Sequence, residues 1–114
     1  MEKNNELYVL WTNADPITSE QMMMMYTING MKRGWWDKIT VIIWGATSDL
    51  VATSPKFQDL IKEGQKAGVF YTACISCARN LGAIEKLEEL NIELIPWGVP
   101  LTEIIKSGKH LITI

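Results

Sequence analysis

The stretch Ser54-Pro55-Lys56-Phe57-Gln58-Asp59-Leu60-Ile61-Lys62-Glu63-Gly64-Gln65-Lys66-Ala67-Gly68-Val69-Phe70-Tyr71-Thr72-Ala73-Cys74-Ile75-Ser76-Cys77 decides the fold. Serine followed by proline is a helix start, because the serine caps free backbone amides and proline fits the first helical position. Phe57, Leu60, Ile61 and Gly64 then share one helical face, and Gly68 stops the helix. Val69 to Ala73 follows as a short aromatic and β-branched run, suited to a buried strand. Helix, stop, strand and a cysteine at the next turn form one repeat of an α/β chain.

The same alternation extends in both directions. Leu7 to Trp11, Ile39 to Trp44, Ile92 to Trp97 and Leu111 to Ile114 read as further strands, buried on both faces of a parallel sheet. Asp15-Pro16 opens a helix that Gly34 ends after Lys32 and Arg33. Leu81, Ile84, Leu87 and Leu90 form a stripe closing at Asn91, and Leu101, Ile104 and Ile105 form a shorter one before Gly108. The fold expected is α/β: a single domain over residues 1–114, a three-layer α/β/α sandwich with a mainly parallel five-stranded sheet and right-handed crossovers.

Composition narrows the function classes. With 114 residues and 47% apolar content the chain suits one domain with a substantial core. Eleven basic and thirteen acidic residues leave a net charge of −2, which disfavours nucleic acid and anionic membranes as partners. The longest apolar runs, Met22 to Tyr26 and Val41 to Trp44, fall far short of the ~20 residues of a membrane span. Met1 to Glu6 is charged and shows no secretory h-region, so a cytoplasmic location is expected. Two cysteines cannot form a disulfide framework, and one histidine suits few metal sites; neither a metal nor a cofactor is expected.

In an open parallel sheet, chemistry gathers where the strands end and the helices begin. The loops expected there are Thr12-Asn13-Ala14-Asp15, Gly45-Ala46-Thr47-Ser48, Cys74-Ile75-Ser76-Cys77 and Gly98-Val99-Pro100. The first has no glycine and only one hydroxyl, Thr12, which excludes a Walker-type, dinucleotide or flavodoxin-like phosphate loop. The third strand closes on Cys74 where a phospho-acceptor domain would carry aspartate. A thiol at a helix start is close to free amides and the positive dipole end, which favours thiolate, and Arg79 adds a nearby positive charge. Cys77, one turn later, is placed to form a disulfide or to attack a sulfur held on Cys74; both cysteines also suit plain apolar packing.

A thioredoxin-type motif follows the first strand of its unit, whereas this pair follows the third run. His110 starts the last strand, roughly 15 Å away at the opposite sheet edge, and reads as an edge residue rather than a ligand or base. Trp44 and Trp97 end strands at the cysteine edge, where they close the core or shield a sulfur from water. Trp35-Trp36 lies at the other edge. At about 100° per residue, Met22 to Met25 sweep most of a helix, so they cannot all face the sheet, and an interface is expected for those left over.

From Val69 onward the sequence resembles the DsrE/DsrF-like family of small sulfur-relay proteins. The resemblance rests on Cys74 closing the third strand, Gly82 eight residues later, Leu87-Glu88-Glu89-Leu90-Asn91-Ile92 leading into the next strand, and Pro96-Trp97-Gly98-Val99 before Leu101 and Gly108. It covers somewhat under half of the chain. It implies a persulfide-carrying cysteine, matched here by Cys74, and assembly into a homotrimer or a multiple of it. Relatives carry either alanine or a second cysteine where this chain has Cys77. The expected function is a sulfur carrier or sulfurtransferase that takes sulfane sulfur from a donor on Cys74 and passes it to an acceptor protein or small thiol. The alternatives are a thiol–disulfide redox protein using Cys74 and Cys77, and a non-catalytic oligomeric protein binding a small molecule. The binding set expected around the cysteines is Asn13, Gly45, Arg79, Trp97 and Gly98.

Overall fold

The computed structural model describes residues 5–114. The reading of the first residues as lacking a secretory h-region falls largely on Met1–Asn4, outside the described residues. Five strands, β1 (Glu6–Trp11), β2 (Lys38–Ile43), β3 (Phe70–Cys74), β4 (Glu93–Ile95) and β5 (His110–Thr113), form one sheet in the order β4-β3-β2-β1-β5. Every neighbouring pair is parallel, with Val9 opposite Val41, Ile42 opposite Thr72, and Cys74 opposite Ile95. The expected three-layer α/β/α architecture is what the chain forms.

The crossovers explain why the layers are unequal. From β1 to β4 each step moves one place in the same direction, so right-handed connections put every helix on one face. These are α1 (Pro16–Thr18), a π-helical stretch (Ser19–Met24), α2 (Met25–Lys32), α3 (Ala46–Thr53), α4 (Pro55–Ala67), α5 (Ile75–Asn80) and α6 (Ile84–Glu89). The last connection runs back across the whole sheet to β5, and the same handedness sends α7 (Gly98–Lys106) over the other face. One helix thus covers the second face alone.

Burial follows this asymmetry. Leu7, Val9, Trp11, Ile39, Val41, Ile43, Tyr71 and Ala73 point to the crowded face and pack under Met23, Met24, Ile28, Val51, Phe57, Ile61 and Leu87. Each large side chain sealed this way contributes about 1.5–3 kcal/mol. The opposite face carries a smaller cluster of Ile42, Cys74, Trp97 and Ile104, with Tyr8, Leu10 and Leu111 only half-buried beside it. The expectation that strands are buried on both faces therefore fails for β1, whose residues alternate between half-buried and buried.

Helix ends largely obey the cap signals. Asp15 Oδ2 accepts from the Thr18 amide at 2.8 Å, which holds this carboxyl below its ordinary range. Ser54 accepts from Phe57 N at 3.3 Å, and Gly68 closes α4 at φ 106°. Other boundaries need correction. The first helix widens into π geometry over Ser19–Met24, and the methionine run divides within it: Met23 and Met24 are buried, while Met22 and Met25 are 42% and 49% exposed. The expected Leu81–Leu90 stripe is cut at Gly82, which turns at φ 68°, and Leu81 lies exposed outside it. Ile105 is likewise exposed rather than packed with Ile104. The fourth run forms strand over Glu93–Ile95 alone, so Trp97 belongs to the cap of α7. The segment after Gly45 is a helix, α3, not a loop.

Candidate functional site

The carboxyl edge of the sheet is tied together by side chains from the loops themselves. Thr47 donates to the Trp11 carbonyl at 2.8 Å and accepts from the Trp44 amide at 3.1 Å, which joins the ends of β1 and β2. The Trp11 indole donates to the Asn13 carbonyl and to Ser19 Oγ, each at 3.0 Å. Ser19 in turn donates to the Asn13 carbonyl at 2.8 Å. The amides of Thr12 and Asn13 donate to the Ile114 carbonyl at 2.7 and 3.0 Å. This network ties together the ends of β1, β2 and β5, with β3 and its cysteine turn next to β2.

Cys74 is the last residue of β3 and the N-cap of α5; Cys77 follows one turn along that helix. Both are free thiols, Cys74 buried and Cys77 half-buried. The two thiols are neighbours, and the Gly45 amide lies close enough to the Cys77 sulfur to favour its thiolate. Burial, its largest cause, pushes the Cys77 thiol above the ordinary cysteine range; Cys74 adds to this and the Gly45 amide opposes it. Cys77 therefore keeps its proton at neutral pH. Gly45 adopts φ 73° and ψ −132°, a region that only glycine enters freely, although a Cβ there would meet nothing within 4 Å. Its requirement is conformational: the positive φ turns the chain from β2 into α3.

Trp97 completes the wall. Its indole is buried in the same cluster as Cys74, and its Nε1 donates to Thr72 Oγ1 at 2.8 Å. Thr72 and Cys74 lie two residues apart on β3 and share the second face.

The remaining expected site residues are placed differently. Asn13 lies exposed at the edge, with Oδ1 accepting from the Asp15 amide at 2.9 Å and its carbonyl used by Trp11 and Ser19, so its polar groups hold the loop. Arg79 is exposed in the last turn of α5. Gly98 opens α7, exposed, with open space where a Cβ would stand. The structure thus brings together Cys74, Cys77, Gly45 and Trp97, and leaves Asn13, Arg79 and Gly98 at the surface. A cleft of about 320 Å³ lies on the second face against α7, lined by Tyr8, Trp97, Pro100, Glu103, Ile104 and other residues. It shares only Trp97 with the expected binding set. Sequence reasoning missed Thr72, whose signal was a threonine two residues before the cysteine in a strand.

Among the described residues no group of three or more His, Cys, Asp and Glu side chains could hold a metal ion. No described helix is long and apolar enough to cross a membrane. His110 packs edge-on against Trp36 at 5.4 Å, at the amino end of β5 away from the cysteines.

No family model and no curated protein matches the chain. A solved structure described as a conserved protein of unknown function from Bacteroides thetaiotaomicron is 37% identical to it, with a TM-score of 0.95, covering 97% of this chain and 96% of that one. The chain belongs to the same family as that protein.

Proposed function

We propose that the protein carries sulfane sulfur as a persulfide on Cys74 and hands it to an acceptor thiol. One observation carries this reading: a buried thiol and a half-buried one stand one helical turn apart at the carboxyl edge of the sheet, and the buried one shares its cluster with an indole. Loading needs no external oxidant. The Cys74 thiolate attacks the outer sulfur of a donor persulfide, forms the new S–S bond, and releases the donor as its thiolate. Unloading is the same exchange with an acceptor thiolate, which takes the outer sulfur and returns Cys74 as thiolate. The resemblance to sulfur-relay proteins in the cysteine half points the same way.

Cys77 decides how long the cargo lasts. Its thiolate, attacking the inner sulfur of the Cys74 persulfide, would close a Cys74–Cys77 disulfide and expel hydrosulfide. Only the thiolate attacks, and the upward shift of the Cys77 thiol makes its thiolate scarcer than that of an ordinary cysteine. That protection favours a carrier over a redox pair.

The one-turn spacing of the two thiols also supports a second reading, thiol–disulfide exchange. Intact-mass measurement after incubation with a sulfane donor separates the two. Gain of one sulfur supports the carrier. Loss of two hydrogens without added sulfur supports the redox pair, and an unchanged mass leaves a binding protein as the better account.

We further propose that the protein assembles as a homotrimer or a multiple of it, using Met22 and Met25. Their exposure on one helical segment leaves apolar surface that a second copy would cover.

A further inference from the structure

Thr72 is fully buried, yet its hydroxyl uses both of its capacities. It accepts from Trp97 Nε1 at 2.8 Å and donates to Glu93 Oε1 at 2.9 Å. Indole, hydroxyl and carboxylate form a chain in which every donor points the same way, so each bond polarises the next. Glu93 is directly opposite Thr72 on the edge strand β4 and remains exposed, so the carboxylate stays solvated while the indole end is dry.

The indole held by this chain takes part in two groupings. One is the buried cluster with Cys74, Ile42 and Ile104. The other is the lining of the cleft of about 320 Å³, with Tyr8 and Pro100. Neither cysteine is among the cleft's lining residues. Trp97 and Ile104 belong to both the cleft lining and the cluster that holds Cys74.

We propose that Trp97 is a gate between this cleft and Cys74, and that Thr72 is the positioning residue that latches it shut. The inference rests on Cys74 being the reactive thiol and adds a route by which a small thiol reaches it. Swinging the indole requires breaking its single hydrogen bond, and the hydroxyl left behind keeps its bond to Glu93. The latch is therefore a local equilibrium, separate from global unfolding.

Alkylation of Cys74 by iodoacetamide, followed by peptide mass on the full chain, tests this without any sulfur donor. Removing one ordinary hydrogen bond raises the open population roughly tenfold, so Thr72→Val is expected to raise the Cys74 rate by about that factor. Thr72→Ser keeps the hydroxyl and stays within about twofold of wild type. Trp97→Phe keeps a ring but loses the donor and matches Thr72→Val; combining the two adds little, because both remove the same bond. The increase must persist unchanged at low urea, since local opening exposes little surface. Equal rates in wild type, Thr72→Val and Trp97→Phe would overturn the gate, as would an increase that climbs with urea. A chain that takes up no sulfane sulfur but shows these rates overturns the carrier and keeps the gate; the reverse result overturns the gate alone.

Discussion

The hydroxyl of Tyr71, on β3, fills the space in which residue 64 of α4 would carry a Cβ. Gly64 is buried in the middle of that helix, so its role is close approach rather than an unusual backbone angle. Gly64→Ala is expected to lose about 1–3 kcal/mol of stability by overpacking, measured as a lower urea midpoint. Adding Tyr71→Phe should recover only part of the loss. Ring carbons at 2.9 and 3.1 Å from the new Cβ would still crowd it. Tyr71→Phe alone gives up a weak contact to Met24 Sδ at 3.8 Å and should cost under about 1 kcal/mol.

The same phenol makes the fold sensitive to alkali. Burial, and secondarily the Glu63 charge, raise the Tyr71 pKa far above its ordinary value of 10.0. The unfolded chain releases this proton near that ordinary value, whereas the folded chain keeps it. Stability from this group is complete below about pH 10 and declines as pH rises further, by up to about 1.4 kcal/mol per pH unit. Tyr71→Phe should flatten the decline in urea titrations. An equal decline in both proteins would show that another group is responsible.

Ser48 Oγ, in the first turn of α3, is buried without a hydrogen-bond partner. Replacing a hydroxyl that has lost water and gained nothing should not cost stability. Ser48→Ala is expected to leave the thermal midpoint unchanged or raise it by a few degrees.

The order of elements was legible because the caps at Asp15-Pro16, Ser54-Pro55 and Gly68 are local chemistry, which short stretches of chain carry by themselves. Cys74 at the end of β3 was legible for the same reason, as a strand run closed by a thiol. The cover of the second face by α7 alone was not, because it depends on β5 pairing with β1. That pairing leaves Tyr8 and Leu10 half-buried, although their side chains look as apolar as those of a sealed strand. The Met23–Met24 pair entered the core through a π stretch that regular helical spacing does not foresee. Thr72 was hidden because its value comes from Glu93 and Trp97, 21 and 25 residues away.

If Met22 and Met25 are covered in a trimer, charging that surface should dissolve it. Met22→Lys with Met25→Lys should shift sedimentation from the trimer, or its multiple, to the monomer while leaving circular dichroism unchanged. These side chains lie outside the core, so the fold itself loses little. A wild-type monomer at micromolar concentration contradicts the assembly.

Persulfide lifetime should depend on pH through Cys77. Its pKa is raised, so little thiolate is present at neutral pH and the fraction grows only in alkali. The loaded protein should hold its sulfur at neutral pH and lose it to disulfide formation at high pH. Cys77→Ser should remove the intramolecular alkaline loss without preventing loading, because serine cannot close a disulfide. Identical decay in wild type and Cys77→Ser across the pH range would return Cys77 to a packing role.

Whether Cys74 holds the cargo is decided by locating the sulfur. Wild-type protein loaded from a sulfane donor at neutral pH is trapped with an alkylating reagent, digested and sequenced by fragment mass. A persulfide carrier on Cys74 shows one additional sulfur between Cys74 and the alkyl group, with Cys77 carrying the alkyl group alone. Additional sulfur on Cys77, or on neither cysteine, would contradict it.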